Sequence, residues 1–240
     1  MDIKLDHKGA SLVGRMAIPD APGPHAGVLV MHNAHGMGPH MLEIAQRLAE
    51  LGFAAIATDM YGGGTYHADR KGAGEASAPL WADPQLLRSR VIAWYEHVKT
   101  MPEIDPNRIA AIGYCFGGQC VLELARSGAD VKAAISYHGL LKTFEPARPG
   151  KVKAVVAVFT GTRDPYVPYE DLIGFRNEMI EAGASWQVTE FGAAYHSFTD
   201  YRLQEEPAAG QAYHPQSERA SWAATLTILD EALSVDRRSR

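Results

Sequence analysis

Ile109-Ala110-Ala111-Ile112-Gly113-Tyr114-Cys115-Phe116-Gly117-Gly118-Gln119-Cys120 carries an apolar run across a glycine-flanked residue into a helical pattern, Val121, Leu122, Leu124, Ala125. Strand, sharp turn, then helix is the context of a nucleophile elbow. In such a turn the central residue has a strained backbone and its side chain projects from the end of the sheet. Strand and helix approach so closely there that the positions two before and two after must be small. Gly113 and Gly117 occupy those positions, and Cys115 stands at the centre. The functional reading is a cysteine nucleophile. The plain alternative is a βα turn of a nucleotide-binding fold with a buried Cys.

Working outward, Ala26–His32 and Phe53–Met60 are continuous apolar runs of the kind expected for strands buried on both faces. Pro39–Leu51 has a helical apolar spacing that stops at Gly52, and Asp83 with Pro84 opens a second helix running to Lys99. Lys132–Tyr137, Lys153–Thr160 and the alternating Trp186–Phe191 read as strands. Tyr169–Ala182 and Gln216–Leu233 read as helices. The pattern predicts a mostly parallel central sheet covered by helices on both faces, an α/β architecture with right-handed crossovers. With no long linker or repeat, the reading is a single domain over residues 1–240. The glycine-rich stretch at about 62–81 is expected to be a lid-like loop.

Bulk properties narrow the function. The chain has 240 residues, 46% hydrophobic and 21% charged, with a net charge of −5. That composition suits a globular protein with a sizeable core. An acidic balance argues against nucleic acid or an anionic membrane as partner. No apolar run approaches the length of a membrane span, and the N-terminal residues lack a signal peptide's hydrophobic core. Two cysteines five residues apart make no disulfide framework. The expected compartment is the reducing cytoplasm, where a thiol stays usable. The oligomeric state is read as monomer or homodimer.

In a parallel α/β sheet, ligands bind beyond the carboxyl ends of the strands. Cys115 follows one predicted strand, Asp164 follows the strand ending at Thr160, and His196 follows the strand ending near Phe191. The chemistry calls for these types. A thiol is mostly protonated near neutral pH, so a histidine must take its proton or hold the thiolate as an ion pair. A carboxylate on the other ring nitrogen then fixes the tautomer and favours the imidazolium. An acyl-transfer oxyanion needs backbone N–H donors. Phe116, at the start of the elbow helix, supplies one, and Ala34 in His32-Asn33-Ala34-His35-Gly36 is the candidate for the second. His32, His35 and His40 raise the question of a metal, but no carboxylate or Cys lies at useful spacing, so no metal and no cofactor is expected.

These residues resemble the dienelactone hydrolase family. Gly-Tyr-Cys-Phe-Gly-Gly at 113–118 matches its elbow, and Tyr-His-Ser-Phe at 195–198 is similar to its histidine segment. The spacings of 49 residues from Cys115 to Asp164 and 32 from Asp164 to His196 agree in kind. The resemblance implies an α/β-hydrolase fold and opening of a small ester or lactone through a Cys115–His196–Asp164 triad and an acyl-enzyme. Ala34 and Phe116 become the oxyanion-hole residues. Asn33, His35, Tyr66, Trp81 and Tyr137 become candidate substrate-pocket residues.

Two departures from the family's pattern stand out. Family members often carry a Glu directly after the early strand, where Asn33 stands and cannot take a proton. Members acting on dienelactones hold the substrate carboxylate with arginines, one of them four residues after the histidine. Here that position is Asp200, which repels a carboxylate. Arg70, Arg88 and Arg163 are the candidates to compensate. Two other classes also fit: a ligand-binding or regulatory protein on a hydrolase scaffold, and a redox thiol protein using Cys115 and Cys120.

Overall fold

The computed structural model describes residues 1–202 and 205–234. Eight strands form one sheet in the order β1-β2-β4-β3-β5-β6-β7-β8. They are β1 (Asp2–His7), β2 (Ala10–Ala17), β3 (His25–Met31), β4 (Ala54–Thr58), β5 (Ile104–Tyr114), β6 (Ala133–Tyr137), β7 (Val155–Gly161) and β8 (Ser185–Phe191). From β4 to β8 all neighbours are parallel, while β2 pairs antiparallel with β1 and with β4. The expected strands are all present, and β1 is an addition. Its sequence alternates charged and apolar residues because it is an edge strand with only Ile3 fully buried.

The period of two along each central strand sorts side chains into two cores. Leu29, Met31, Ala111, Ala134, Val156 and Val158 face one side, beneath α3 (Pro84–Val98), α4 (Phe116–Arg126) and α5 (Tyr169–Glu181). Val28, Val30, Ala110, Ile112, Ile135, Ala157 and Phe159 face the other, beneath α1 (Pro39–Glu50) and α6 (Pro215–Ala232). Both faces are therefore dry, and the unpartnered strand ends are the place left for chemistry.

One expectation is corrected. Most of the stretch read as a lid-like loop is a helix, α2 (Arg70–Ala82). Gly72, Gly74 and Pro79 lower its propensity, but the Asp69 side chain accepts a hydrogen bond from the Gly72 N–H at 2.9 Å and caps its first turn. Only Ala73, Ser77 and Leu80 of this helix are buried.

Candidate active site

The elbow is built by backbone contact. A Cβ on Gly117 would lie 2.2 Å from the Met31 carbonyl oxygen, and one on Gly113 would lie 2.0 Å from that of Gly117. Only glycine lets α4 start this close to β3 and β5. Cys115 between them has φ +54° and ψ −113°, a conformation an L-residue avoids unless its surroundings impose it. Its N–H is held by the Tyr137 carbonyl at 2.9 Å.

Adjacent strand ends deliver the partners. Asp164 follows β7 in a turn closed by its own N–H to the Gly161 carbonyl at 3.1 Å. Its Oδ1 accepts from the Tyr166 N–H at 2.8 Å, and Oδ2 lies 2.8 Å from Nδ1 of His196. The Asp164 side chain is wholly buried. His196 is fixed through its backbone, donating to the Gly210 carbonyl at 2.9 Å and accepting from the Ala212 N–H at 3.3 Å. Its ring and the Cys115 thiol line the same cavity and interact electrostatically, so thiol, imidazole and carboxylate lie in one row.

The electrostatics follow from that row. Burial alone would raise the Cys115 thiol, but the His196 cation and the backbone N–H groups of Phe116 and Ala34 bring it below its ordinary value. Burial alone would lower His196, but the thiolate and the Asp164 carboxylate push it up to about 10. The two opposed shifts each favour the charged form, a thiolate beside an imidazolium. The same two N–H groups that meet the sulfur, Phe116 and Ala34, are the pair expected to bind an oxyanion.

The remaining sequence candidates divide. A cavity of about 230 Å³ opens on Cys115 and His196 and is lined by Asn33, Ala34, His35 and Trp81, with Ala73, Ser77, Leu140 and Tyr166. Trp81 is anchored by its Nε1–H to the Gln119 side chain at 3.2 Å. Tyr66 lines an adjoining cleft that shares Asn33 and His35 with the first. Tyr137 is not a pocket residue, which corrects the expectation. Strand parity turns it to the α6 side, where its ring stacks on Tyr114 at 4.6 Å and its hydroxyl meets Thr225.

The compensating arginines are also separated. Arg88 is buried in an ion network with Glu123 (2.8 Å) and Glu145 (2.9 Å), and Arg163 is exposed beside Tyr195. Only Arg70 of the three lines the cavity. Both nitrogens of His32 are occupied: Nδ1 donates to the Asn33 carbonyl at 2.6 Å and Nε2 accepts from the Met60 N–H at 3.0 Å. The Asn33 side-chain oxygen accepts from the His35 N–H at 3.0 Å.

One residue was not among the sequence candidates. His138 follows β6 at φ +41°, buried, with its ring edge-on to His196. Its Nε2 is paired with the Thr199 hydroxyl at 2.9 Å. Its place just past a strand, beside Cys115 and Asp164 in the same row, was the signal that could have found it.

The strand order and the elbow define an α/β-hydrolase. The sequence profile of the dienelactone hydrolase family matches residues 12–233, and the chain belongs to that family. The solved structure of m3DLH is 35% identical over 97% of this chain and 98% of its own, with a TM-score of 0.91. That of the dienelactone hydrolase-like promiscuous phosphotriesterase P91, from metagenomic libraries, is 33% identical over 97% of each chain, with a TM-score of 0.90. A putative carboxymethylenebutenolidase of Yersinia pestis is 28% identical over 92% of this chain and 84% of its own. The protein is a hydrolase of this family. Among the described residues no helix is long and apolar enough to cross a membrane.

Proposed function

We propose that this chain is a single-domain carboxylic ester hydrolase that cleaves a small ester or lactone through Cys115, His196 and Asp164, without a cofactor. The observation carrying the reading is that His196, paired through Nδ1 with buried Asp164, shares one cavity with Cys115 and interacts with its thiol. The thiolate attacks the carbonyl carbon, and the resulting oxyanion is held by the N–H groups of Phe116 and Ala34. Collapse breaks the acyl–oxygen bond. The leaving oxygen takes its proton from His196, and the acyl group remains on Sγ as a thioester. His196, now neutral, removes a proton from water, which attacks the thioester. The second collapse regenerates the thiolate and imidazolium. Asp164 keeps the ring oriented throughout.

Asn33 is already tied to the His35 backbone, so thiol activation falls to His196 alone. A free thiol of this kind suits the reducing cytoplasm. The cavity, about 230 Å³, fits a small acyl or lactone ring rather than a polymer. Asp200 at its rim disfavours a substrate carboxylate, so we place neutral esters and lactones ahead of dienelactones.

Cys115→Ala is expected to lower aryl-ester hydrolysis roughly 10³-fold or more while leaving a folded chain with a cooperative unfolding transition. Rapid-quench mass spectrometry of the native chain is expected to show one acyl group on Cys115. Unchanged turnover in the alanine variant overturns the triad. Tight binding without turnover, over a panel of esters, lactones and a neutral phosphotriester, favours the ligand-binding alternative. The phosphotriester is included because one relative is named for that activity. A Cys115–Cys120 disulfide under mild oxidant, lost together with activity in Cys120→Ala, would favour the redox one.

A further inference from the structure

Beside the thiol cavity lies a second cleft of about 450 Å³, reaching from His40 and Tyr66 to Glu206. The two share Asn33, His35, Arg70 and Asp200 in their walls, so they adjoin along that line. Their characters differ. Trp81, Leu140 and Tyr166 make the thiol cavity largely apolar, whereas the cleft carries the charged residues Asp69, Arg70, Asp200, Arg202 and Glu206.

Each of those charges has a traceable partner except one. The Arg70 guanidinium lies 3.1 Å from Glu206 and 2.9 Å from the Gln211 side-chain oxygen. Arg202 is paired with Glu43. Asp69 caps α2 through the Gly72 N–H. Asp200 accepts only the Arg202 backbone N–H at 3.1 Å on Oδ1, while Oδ2 faces His40 Nδ1 at 3.6 Å. Burial holds the His40 ring below the ordinary imidazole range, so it carries no charge at neutral pH. Among the described residues, no lysine or arginine lies within ion-pair distance of Asp200.

Arg70 and Arg202 of the wall are each engaged by a glutamate, and two further wall residues suit a cation. Tyr66 presents a half-exposed ring, held in place by Gly38, where a Cβ would come within 2.5 Å of it. His35 donates Nδ1–H to the His67 carbonyl at 2.7 Å, which fixes the ring and aims its Nε2 edge away from that bond. A carboxylate with no lysine or arginine of the described residues within ion-pair distance, lining the same cleft as a half-exposed aromatic ring, is the chemistry that recognises an alkylammonium group.

We propose that this cleft is the second half of the substrate site and takes the alcohol or thiol portion of the substrate, bearing an alkylammonium group held by Asp200 and Tyr66. The small acyl group then occupies the apolar cavity at Cys115. This placement rests on the ester-hydrolase reading above.

The test uses three matched thioacetates whose thiol halves end in trimethylammonium, tert-butyl or carboxylate: acetylthiocholine, S-3,3-dimethylbutyl thioacetate and S-acetyl-3-mercaptopropionate. Thiol release gives kcat/KM for each. The ammonium ester is expected to exceed its tert-butyl isostere about fivefold, the range of a partly exposed ion pair, with the carboxylate ester slowest. Asp200→Asn keeps the acceptor for the Arg202 N–H and is expected to cut the ammonium to tert-butyl ratio to about two, the share left to the Tyr66 ring. A ratio of one in the native chain, or a preference undiminished in Asp200→Asn, overturns the proposal. A second readout does not need turnover: choline is expected to slow iodoacetamide labelling of Cys115 more than 3,3-dimethylbutanol does. If none of the thioacetates is cleaved but choline still protects Cys115 selectively, the hydrolase reading fails and the cation cleft stands. If the thioacetates are cleaved without preference and choline does not protect, the cleft proposal fails alone.

Discussion

The ring of His138 stands edge-on to that of His196, with centroids 5.1 Å apart and an interplanar angle of 66°. One histidine is held above its ordinary range and the other well below it. Burial first, and then the His196 cation, keep His138 neutral. Through Nε2 it also ties down Thr199, three residues beyond His196. A neutral ring bonded to that turn restrains the segment that carries His196.

His138→Gln keeps a side-chain partner for Thr199 and is expected to label with iodoacetamide at Cys115 within about threefold of the native rate, a loss below roughly 1 kcal/mol. His138→Phe keeps the bulk but loses the hydrogen bond, and its labelling is expected to slow by about tenfold with a displaced pH profile. Equal behaviour of the two variants would mean that His138 only fills space.

The pH dependence of Cys115 follows from the two opposed shifts. A thiol held below its ordinary value is ionised at lower pH, so the labelling midpoint should lie below that of a free cysteine. His196→Ala is expected to move the midpoint up toward or above the ordinary thiol value, about 8.5. For stability, the His196 contribution is present in full below 6.5 and lost as pH rises through about 10. The Cys115 contribution runs the other way, present above the ordinary thiol value and lost as pH falls through the depressed one. Chemical denaturation of native and Cys115→Ala chains across pH measures both limbs.

Gly117→Ala would drive a methyl into the Met31 carbonyl at 2.2 Å. Backbone on both sides leaves nothing flexible to yield, so we expect a loss of at least about 3 kcal/mol or failure to fold. Gly74 is the contrast, since a Cβ there would meet nothing within 4 Å. Gly74→Ala in α2 should be neutral or stabilising by up to about 1 kcal/mol. Urea unfolding of the two variants separates the effects.

Tyr137→Phe removes the hydroxyl bonded to Thr225 on the far side of the sheet. The expected cost is about 1–2 kcal/mol in unfolding free energy. A change in substrate preference would return Tyr137 to the pocket.

Arg126 sits in a buried cluster, 3.0 Å from Glu123 and 2.8 Å from Glu178. Arg126→Met strands Glu178 without its guanidinium, and we expect a loss of about 3–5 kcal/mol by thermal and urea unfolding.

The central strands were legible because both faces are dry: runs such as Ala154–Phe159 admit no polar residue. The candidate chain of Cys115, Asp164 and His196 was legible because each follows a strand directly, and parallel strands bring their ends into one row. Tyr137 was misplaced because proximity in sequence to that row does not reveal which way strand parity turns a side chain. Residues 70–82 were misread because Gly72, Gly74 and Pro79 argue against a helix, while the deciding contact, Asp69 to the Gly72 N–H, is a single capping bond. The partners of Arg88 lie 35 and 57 residues away, a separation that local sequence does not encode.

Helix α2 closes one side of the thiol cavity, yet contributes only three buried residues to the interior. Cys115, Asp164 and His196, the groups proposed to do chemistry, follow strands of the sheet and are held by its backbone. The wall that judges the substrate is instead carried on a separate, lightly anchored segment. Substitutions at Gly74 or Trp81 can therefore be sampled at small cost to folding, and the shape of the cavity can change while the sheet-borne residues stay in place.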